Sequence, residues 1–322
     1  MRLGFAVKVL GEGGLPTSDA RRWQSGPHLR HSLEMLGVVL AYCDRHDIRF
    51  YRFAAGIAPY ATHPDLPQFH HQVAECAHEL AAFGARAREL GIRLTTHPSQ
   101  YIVLNSENPT TQIAAARDVE LQAALLDAMG MGDESVCILH IGGMAGDRDA
   151  AIERFERGFE LLSDAARARL VVENDDRTFS LQDALEVHRR TGLRVVWDIL
   201  HHHCLDPVGM PDREALEAAL QTWPADGGRP KIHYSTPKTA MEERKRRVGR
   251  RVERTWVLPQ LRAHADMIDP IAFEHFVTET AAGLDFDVML EAKAKDLALL
   301  RLREQLEARG VALRPAPAAR SR

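Results

Sequence analysis

The sequence predicts an α/β protein, a single-domain (β/α)8 TIM barrel spanning residues 1–308. Two observations predict it. Eight short runs rich in Val, Ile, Leu and Phe alternate with amphipathic stretches, and nearly every run ends in a histidine or a carboxylate. Near-continuous apolar strands separated by helices are the pattern of a parallel sheet covered on its outer face. Eight such units close into a barrel whose chemistry sits at the C-terminal ends of the strands.

The strand runs are 2–7, 48–53, 92–97, 136–141, 169–173, 194–199, 230–234 and 286–291. The stretch at 28–46 shows the helical pattern: Leu29, Leu33, Leu36, Leu40 and Cys43 recur every three or four residues and face one way. Similar periodicity fills 71–90, 110–129, 149–165, 180–191, 212–222, 270–282 and 295–308. Residues 309–322, rich in Ala, Pro and Arg, read as a disordered tail.

Composition narrows the class. An apolar fraction of 45% and a charged fraction of 27% are those of a soluble globular chain. No run approaches the roughly 20 apolar residues of a membrane span, and no signal peptide is legible. Cys43, Cys76, Cys137 and Cys204 form no CxxC pair, which reads as reduced thiols in a cytoplasmic protein. The net charge of −4 excludes a uniformly basic nucleic-acid binder. Residues 229–262, however, carry eleven Lys or Arg against three Glu. The run Arg244-Lys245-Arg246-Arg247 with Arg250, Arg251 and Arg254 reads by default as a solvated helix face, and beside a catalytic mouth as a phosphate-contacting one.

The strand ends carry the chemistry. His63 follows strand two, and His97, His140 and Glu173 end strands three, four and five. Asp198 ends strand six with His201 just beyond. Lys231 and His233 lie on strand seven, and Glu291 ends strand eight. A lone histidine there is usually a structural hydrogen-bonding residue. Convergence of so many on one mouth is hard to reach otherwise, and clustered carboxylates are destabilising without a cation. Glu173, Asp198, His233 and Glu291 are therefore expected to share metal. In Asp198-x-x-His201 both side chains reach one side of a tight turn, while His202 and His203 are either supporting or surface residues. Lys231 and His233, two apart, share a face of their strand; the lysine either steadies a phosphate's charge or pairs with a ligand carboxylate.

At this point the residues resemble the UV damage endonuclease family, barrels related to endonuclease IV. The resemblance covers roughly residues 2–295. It is carried by His97-Pro98-Ser99-Gln100-Tyr101, Leu139-His140-Ile141-Gly142-Gly143, Val172-Glu173-Asn174-Asp175-Asp176, Trp197-Asp198-Ile199-Leu200-His201-His202, Pro230-Lys231-Ile232-His233, Ala263-His264-Ala265-Asp266 and Leu290-Glu291-Ala292-Lys293-Ala294-Lys295, with Pro59-Tyr60-Ala61-Thr62-His63-Pro64 as a further similar segment. The resemblance implies up to three divalent ions, usually Mn²⁺, with Zn²⁺ or Mg²⁺ as alternatives. Glu173, Asp198, His233 and Glu291 would hold the first. Glu173 would bridge to a second with His97 and His140, and His201 and His264 would hold a third. His63 would lie beside the cluster as ligand or catalytic partner, and Lys231, from its place on strand seven, is the other catalytic candidate. Gln100 and Tyr101 match the family's lesion probes, and Arg246, Arg247 and Arg250 are candidate DNA contacts. Phe5, Ala54-Ala55 and Ser99 depart from the family's usual residues.

The implied substrate is double-stranded DNA containing UV lesions. Incision would fall immediately 5′ of cyclobutane pyrimidine dimers or 6-4 photoproducts, leaving a 3′-hydroxyl and a 5′-phosphate. A monomer without an obligate partner is expected. The competing reading is a metal-dependent sugar isomerase or epimerase on the same barrel, which needs neither the additional histidines nor the basic segment. An amidohydrolase-like barrel would carry a His-x-His in strand one, absent here, and a DNA-binding protein without catalysis would not need the full ligand set.

Overall fold

The computed structural model describes residues 1–249 and 251–313. Its eight barrel strands follow the sequence order of the apolar runs: β1 (Leu3–Ala6), β2 (Phe50–Ala54), β3 (Arg93–His97), β4 (Cys137–His140), β5 (Leu170–Glu173), β6 (Arg194–Val196), β7 (Lys231–Tyr234) and, after a two-stranded insertion, β10 (Asp287–Leu290). The sheet order is β6-β5-β4-β3-β2-β1-β10-β7, all parallel. The last seam closes through a parallel bridge between Asp198 and His233, with the His233 N–H donating to the Trp197 carbonyl at 2.9 Å. Site residues thus form part of the closure itself.

The outer layer is α1 (Leu29–Arg45), α2 (Gln72–Glu75), α3 (Ala77–Glu89), α4 (Pro109–Ala128), α5 (Arg148–Glu160), α6 (Asp164–Arg169), α7 (Leu181–Thr191), α8 (Ile199–Cys204), α9 (Asp212–Gln221), α10 (Pro270–His275) and α11 (Lys295–Ala308). Helix α1 buries Leu29, Leu33, Leu36, Leu40 and Cys43 on one face, the stripe its periodicity predicts. Local signals set the helix ends. Asn108 caps α4 ahead of Pro109, Ser180 and Asp183 form a capping box on α7, and Gly192 at φ 76° ends that helix.

Five stretches depart from expectation. The single helix expected at 71–90 breaks at Cys76 into α2 and α3, and that at 149–165 ends at Glu160 before α6 starts. Helix α10 passes into a π-turn, Phe276–Thr280. The basic run 244–247 is not helical. It forms β8 (Glu242–Val248), paired antiparallel with β9 (Arg251–Val257) in a hairpin outside the barrel sheet. Finally, residues 309–313 of the expected tail are held in place: Arg309 pairs with Glu274, and Val311 and Leu313 pack on the core. Arg250 and residues 314–322 lie outside the described residues.

Helix packing is tight where α3 meets the end of α4. A Cβ on Gly84 would lie 1.7 Å from the Met129 carbonyl oxygen, a backbone atom that cannot swing away. Gly84→Ala is expected to cost about 1–3 kcal/mol. Gly37, exposed inside α1 with open space around it, is the control; Gly37→Ala should stabilise by up to about 1 kcal/mol. Thermal melts of the two variants check the pair, and equal melts would contradict the packing.

Candidate metal centre

At the C-terminal mouth, β5 delivers Glu173 into a wholly buried position and the surrounding elements supply imidazoles around it. His97 Nε2 lies 3.1 Å from Glu173 Oε2, and His140 Nε2 lies 3.9 Å from the same oxygen. On the other oxygen, Oε1, His233 Nδ1 stands at 2.8 Å and His201 Nδ1 at 3.6 Å. His233 Nδ1 is also 3.4 Å from Glu291 Oε1, and His264 Nδ1 is 3.8 Å from Glu291 Oε2. All eight residues expected as ligands are therefore brought to one cluster. Glu173, Asp198 and His233 are buried, whereas His97, His140, His201, His264 and Glu291 are half-buried.

The cluster contains two triads whose donor atoms all lie within 4.8 Å of one another: His97, His140, Glu173 and Glu173, Asp198, His233. Glu173 belongs to both, which is the arrangement of a carboxylate able to bridge two ions. The mixed imidazole and carboxylate donors suit Mn²⁺, Zn²⁺ or similar ions. Two orphaned atoms speak for a cation. Asp198 Oδ2 and His140 Nδ1 are buried with no hydrogen-bond partner among the described residues, a costly state for polar groups unless something else satisfies them.

Electrostatics agree. Burial would raise the Glu173 carboxyl, but the charges of His233 and His140 outweigh it and hold it well below the usual carboxylate range. Burial lowers His97 to about 4, so at neutral pH its ring is a neutral ligand. His201 goes the other way. Burial opposes its charge, yet Asp198, Glu173 and Glu291 together push it up to about 9. The clustered carboxylates favour positive charge beside them, the demand that a metal cation would meet.

The scaffold explains the aim of each ligand. Asp198 caps the N-terminus of α8, its Oδ1 accepting from the His201 N–H at 2.8 Å, so both side chains fall on one side. Asn174 locks this segment by accepting from the Asp198 N–H at 2.9 Å and donating to the Asp198 carbonyl at 3.0 Å. His201 Nδ1 contacts the Asn174 carbonyl at 2.9 Å, His264 Nδ1 the Glu291 carbonyl at 2.8 Å and His97 Nδ1 the Pro98 carbonyl at 2.9 Å. Such contacts fix ring tautomers and orientation. His202 is buried away from the cluster against the Met210 carbonyl, and His203 is exposed against Asp212.

Lys231 lies beneath the cluster, fully buried, with Nζ 2.9 Å from His233 Nε2. Burial, together with the Arg52 and Arg93 charges, drives its amine well below the ordinary lysine range. Arg52, which sequence reasoning passed over, bonds to Glu291 Oε1 from β2. The one available signal was a lone arginine in the otherwise apolar 50–53 strand.

The remaining expected residues lie outside the cluster. His63 is exposed on the loop after β2, where its Nδ1 accepts from the Asp65 N–H and its carbonyl meets His70. Gln100 and Tyr101 directly follow the His97 strand and are exposed, Tyr101 at 79%. Arg246 and Arg247 are exposed on β8, and Arg250 is outside the described residues. Among the described residues no helix is long and apolar enough to cross a membrane.

The fold and mouth define a class: parallel (β/α)8 barrels with imidazoles and carboxylates gathered at the C-terminal mouth. Comparison with known proteins narrows it. The UV-endonuclease UvdE family matches residues 29–314. A UV DNA damage endonuclease of Bacillus cereus (strain G9842) is 31% identical over 285 residues, covering 88% of this chain and 83% of that one. The crystal structure of SacUVDE superposes with a TM-score of 0.80 at 28% identity, covering 97% of this chain and all of that one. The chain belongs to the UV-endonuclease UvdE family, and with it to the endonucleases of UV-damage repair. A D-psicose 3-epimerase from Clostridium cellulolyticum H10 superposes with a TM-score of 0.55 at 13% identity over 97% of this chain and 99% of that one, a likeness of fold alone.

Proposed function

We propose that this barrel incises double-stranded DNA immediately 5′ of cyclobutane dimers and 6-4 photoproducts, using divalent ions held at the Glu173 cluster, and leaves a 3′-hydroxyl and a 5′-phosphate. The observation that carries the reading is the sharing of Glu173 between two ligand triads. Ions bound there would neutralise the phosphodiester, lower the pKa of a bound water and stabilise the leaving oxygen. Mn²⁺ is the ion we favour. His97, His140 and Glu173 would form one site, Glu173, Asp198, His233 and Glu291 another, and His201 with His264 a third.

The chain's own groups divide the remaining work. Lys231 holds His233 from below through the 2.9 Å contact, and burial beside Arg52 and Arg93 disfavours its charged form. Arg52 fixes Glu291. His63, on the loop after β2 at the same end of the barrel, is assigned to the DNA side of the cluster. Gln100 and Tyr101 stand exposed beside His97, where they can probe a duplex that a photoproduct has made cheaper to bend or flip. Arg246, Arg247 and Arg250 would contact phosphates. The protein is read as a cytoplasmic monomer.

Chelation tests the metal claim. Treatment with EDTA should abolish incision, and Mn²⁺ should restore it. Mn²⁺ at about 100 times its Kd should also stabilise the fold by about 2.7 kcal/mol, visible as a raised melting temperature that Asp198→Asn diminishes. Incision that survives exhaustive chelation would remove the metal from the mechanism.

A further inference from the structure

We infer that the β8–β9 hairpin is an arm that enters the major groove of the duplex beside the lesion. The inference rests on the reading that the chain works on duplex DNA, and it extends that reading from isolated arginines to a whole structural element.

The hairpin is anchored at the mouth. Its base is tied by the bridge between Pro237 and His264, by the Lys238 N–H to the Ala263 carbonyl at 2.6 Å, and by the Ala265 N–H to the Thr236 carbonyl at 2.8 Å. His264 belongs to the candidate metal cluster, so the arm starts where the cleaved strand would lie. Seven residues per strand at about 3.3 Å each carry it about 20 Å outward. That is about six base pairs at roughly 3.4 Å each.

Nothing among the described residues covers the arm: every residue of β8 and β9 is exposed except the half-buried Val257 at its base. Alternation and register then assign the faces. Arg244, Arg246 and Arg251 lie on one face, with Glu253 and Thr255. Lys245, Arg247 and Arg254 lie on the other, with Val252 and Trp256. Two of the three acids are neutralised, Glu242 by Lys238 and Glu243 by Arg254 and Lys245. Arg244, Arg246, Arg247 and Arg251 have no ion pair among the described residues.

Basic residues on both faces decide the mode of binding. A ribbon lying flat on a duplex meets phosphates on one side only and needs one basic face. A ribbon inside a groove has a phosphate wall on each side. The major groove, about 12 Å wide, admits a two-stranded ribbon, and the minor groove, about 6 Å wide, does not.

The test uses the full-length protein and an undamaged 30-base-pair duplex, so it reads the arm whether or not lesion incision holds. Binding is measured across a salt series for wild type and for the variant Arg244→Gln, Arg246→Gln, Arg247→Gln, Arg251→Gln, with unchanged melting temperature as the folding control. Loss of four phosphate contacts should flatten the slope of log Kd against log salt by about three to four. Dimethyl sulfate reactivity at guanine N7, which faces the major groove, should fall across the duplex with saturating wild type and recover with the variant. An unchanged slope in the folded variant overturns the arm. A flattened slope without N7 protection by wild type overturns insertion into the groove.

Discussion

Glu173→Gln is expected to abolish incision while leaving the protein folded. The substitution keeps the side chain's volume and one acceptor for the contacts with His97 and His233, but removes the charge that both triads share. Residues that merely support metal ligands typically cost 10–100-fold in affinity or activity when lost, and a shared ligand should cost more than about 100-fold. The effect should exceed that of Arg52→Gln, which loses only the group steadying Glu291. Initial rates of nicking at saturating metal, with melting curves for both variants, check the ordering. A Glu173→Gln enzyme within tenfold of wild type would remove Glu173 from the centre.

The largest effect on stability is expected at the opposite end of the barrel. Asp287 on β10 is completely buried and carries three arginines: Arg93 Nη1 at 2.9 Å, Arg2 Nη2 at 2.6 Å and Arg229 Nε at 2.9 Å. Arg93 is equally buried and packs under the rings of Phe50 and Trp223. Asp287→Ala strands that guanidinium without its counter-charge, and breaking a buried pair from one side costs about 3–5 kcal/mol. A fall in melting temperature on the order of 5–10 °C should follow. Asp285, the exposed partner of Arg229, is the contrast, and Asp285→Ala should cost less than about 1 kcal/mol. Burial would raise the Asp287 carboxyl, but Arg93 and Arg2 outweigh it and hold it below its ordinary value. The pair's contribution is therefore fully present at neutral pH and is lost as pH falls through the depressed native value. Thermal melts of the two variants at pH 7 decide the matter, and equal losses would contradict the role of burial.

The barrel was legible because its signal is repeated. Eight apolar runs and a chemistry-bearing residue at nearly every strand end point the same way, and the barrel strands fall inside the expected ranges except that β2 runs one residue further, to Ala54. The convergence of the His and carboxylate side chains was legible for the same reason, since a strand end has only one mouth to face. The hairpin was not. Its residues alternate little in polarity, because both faces of β8–β9 are solvated, so the two-residue period that marks a half-buried strand is missing. Asn174 and Arg52 escaped notice because their value lies in contacts across strands, Asn174 to the backbone of Asp198 and Arg52 to Glu291. Asp198 shows the limit of boundary reading. It was placed at the end of a strand, yet β6 stops at Val196 and Asp198 begins a helix. That capping role is what turns it and His201 to the same side.

The Glu173 cluster is proposed to drive incision of DNA at a UV lesion. Its most direct test is a nicking assay on a duplex holding one thymine photodimer and on its undamaged twin, with Mn²⁺ and with Glu173→Gln alongside wild type. A single nick immediately 5′ of the dimer, absent from the twin and from the variant, is expected. Wild-type protein at full metal occupancy that leaves both duplexes intact, or cuts both alike, would contradict it.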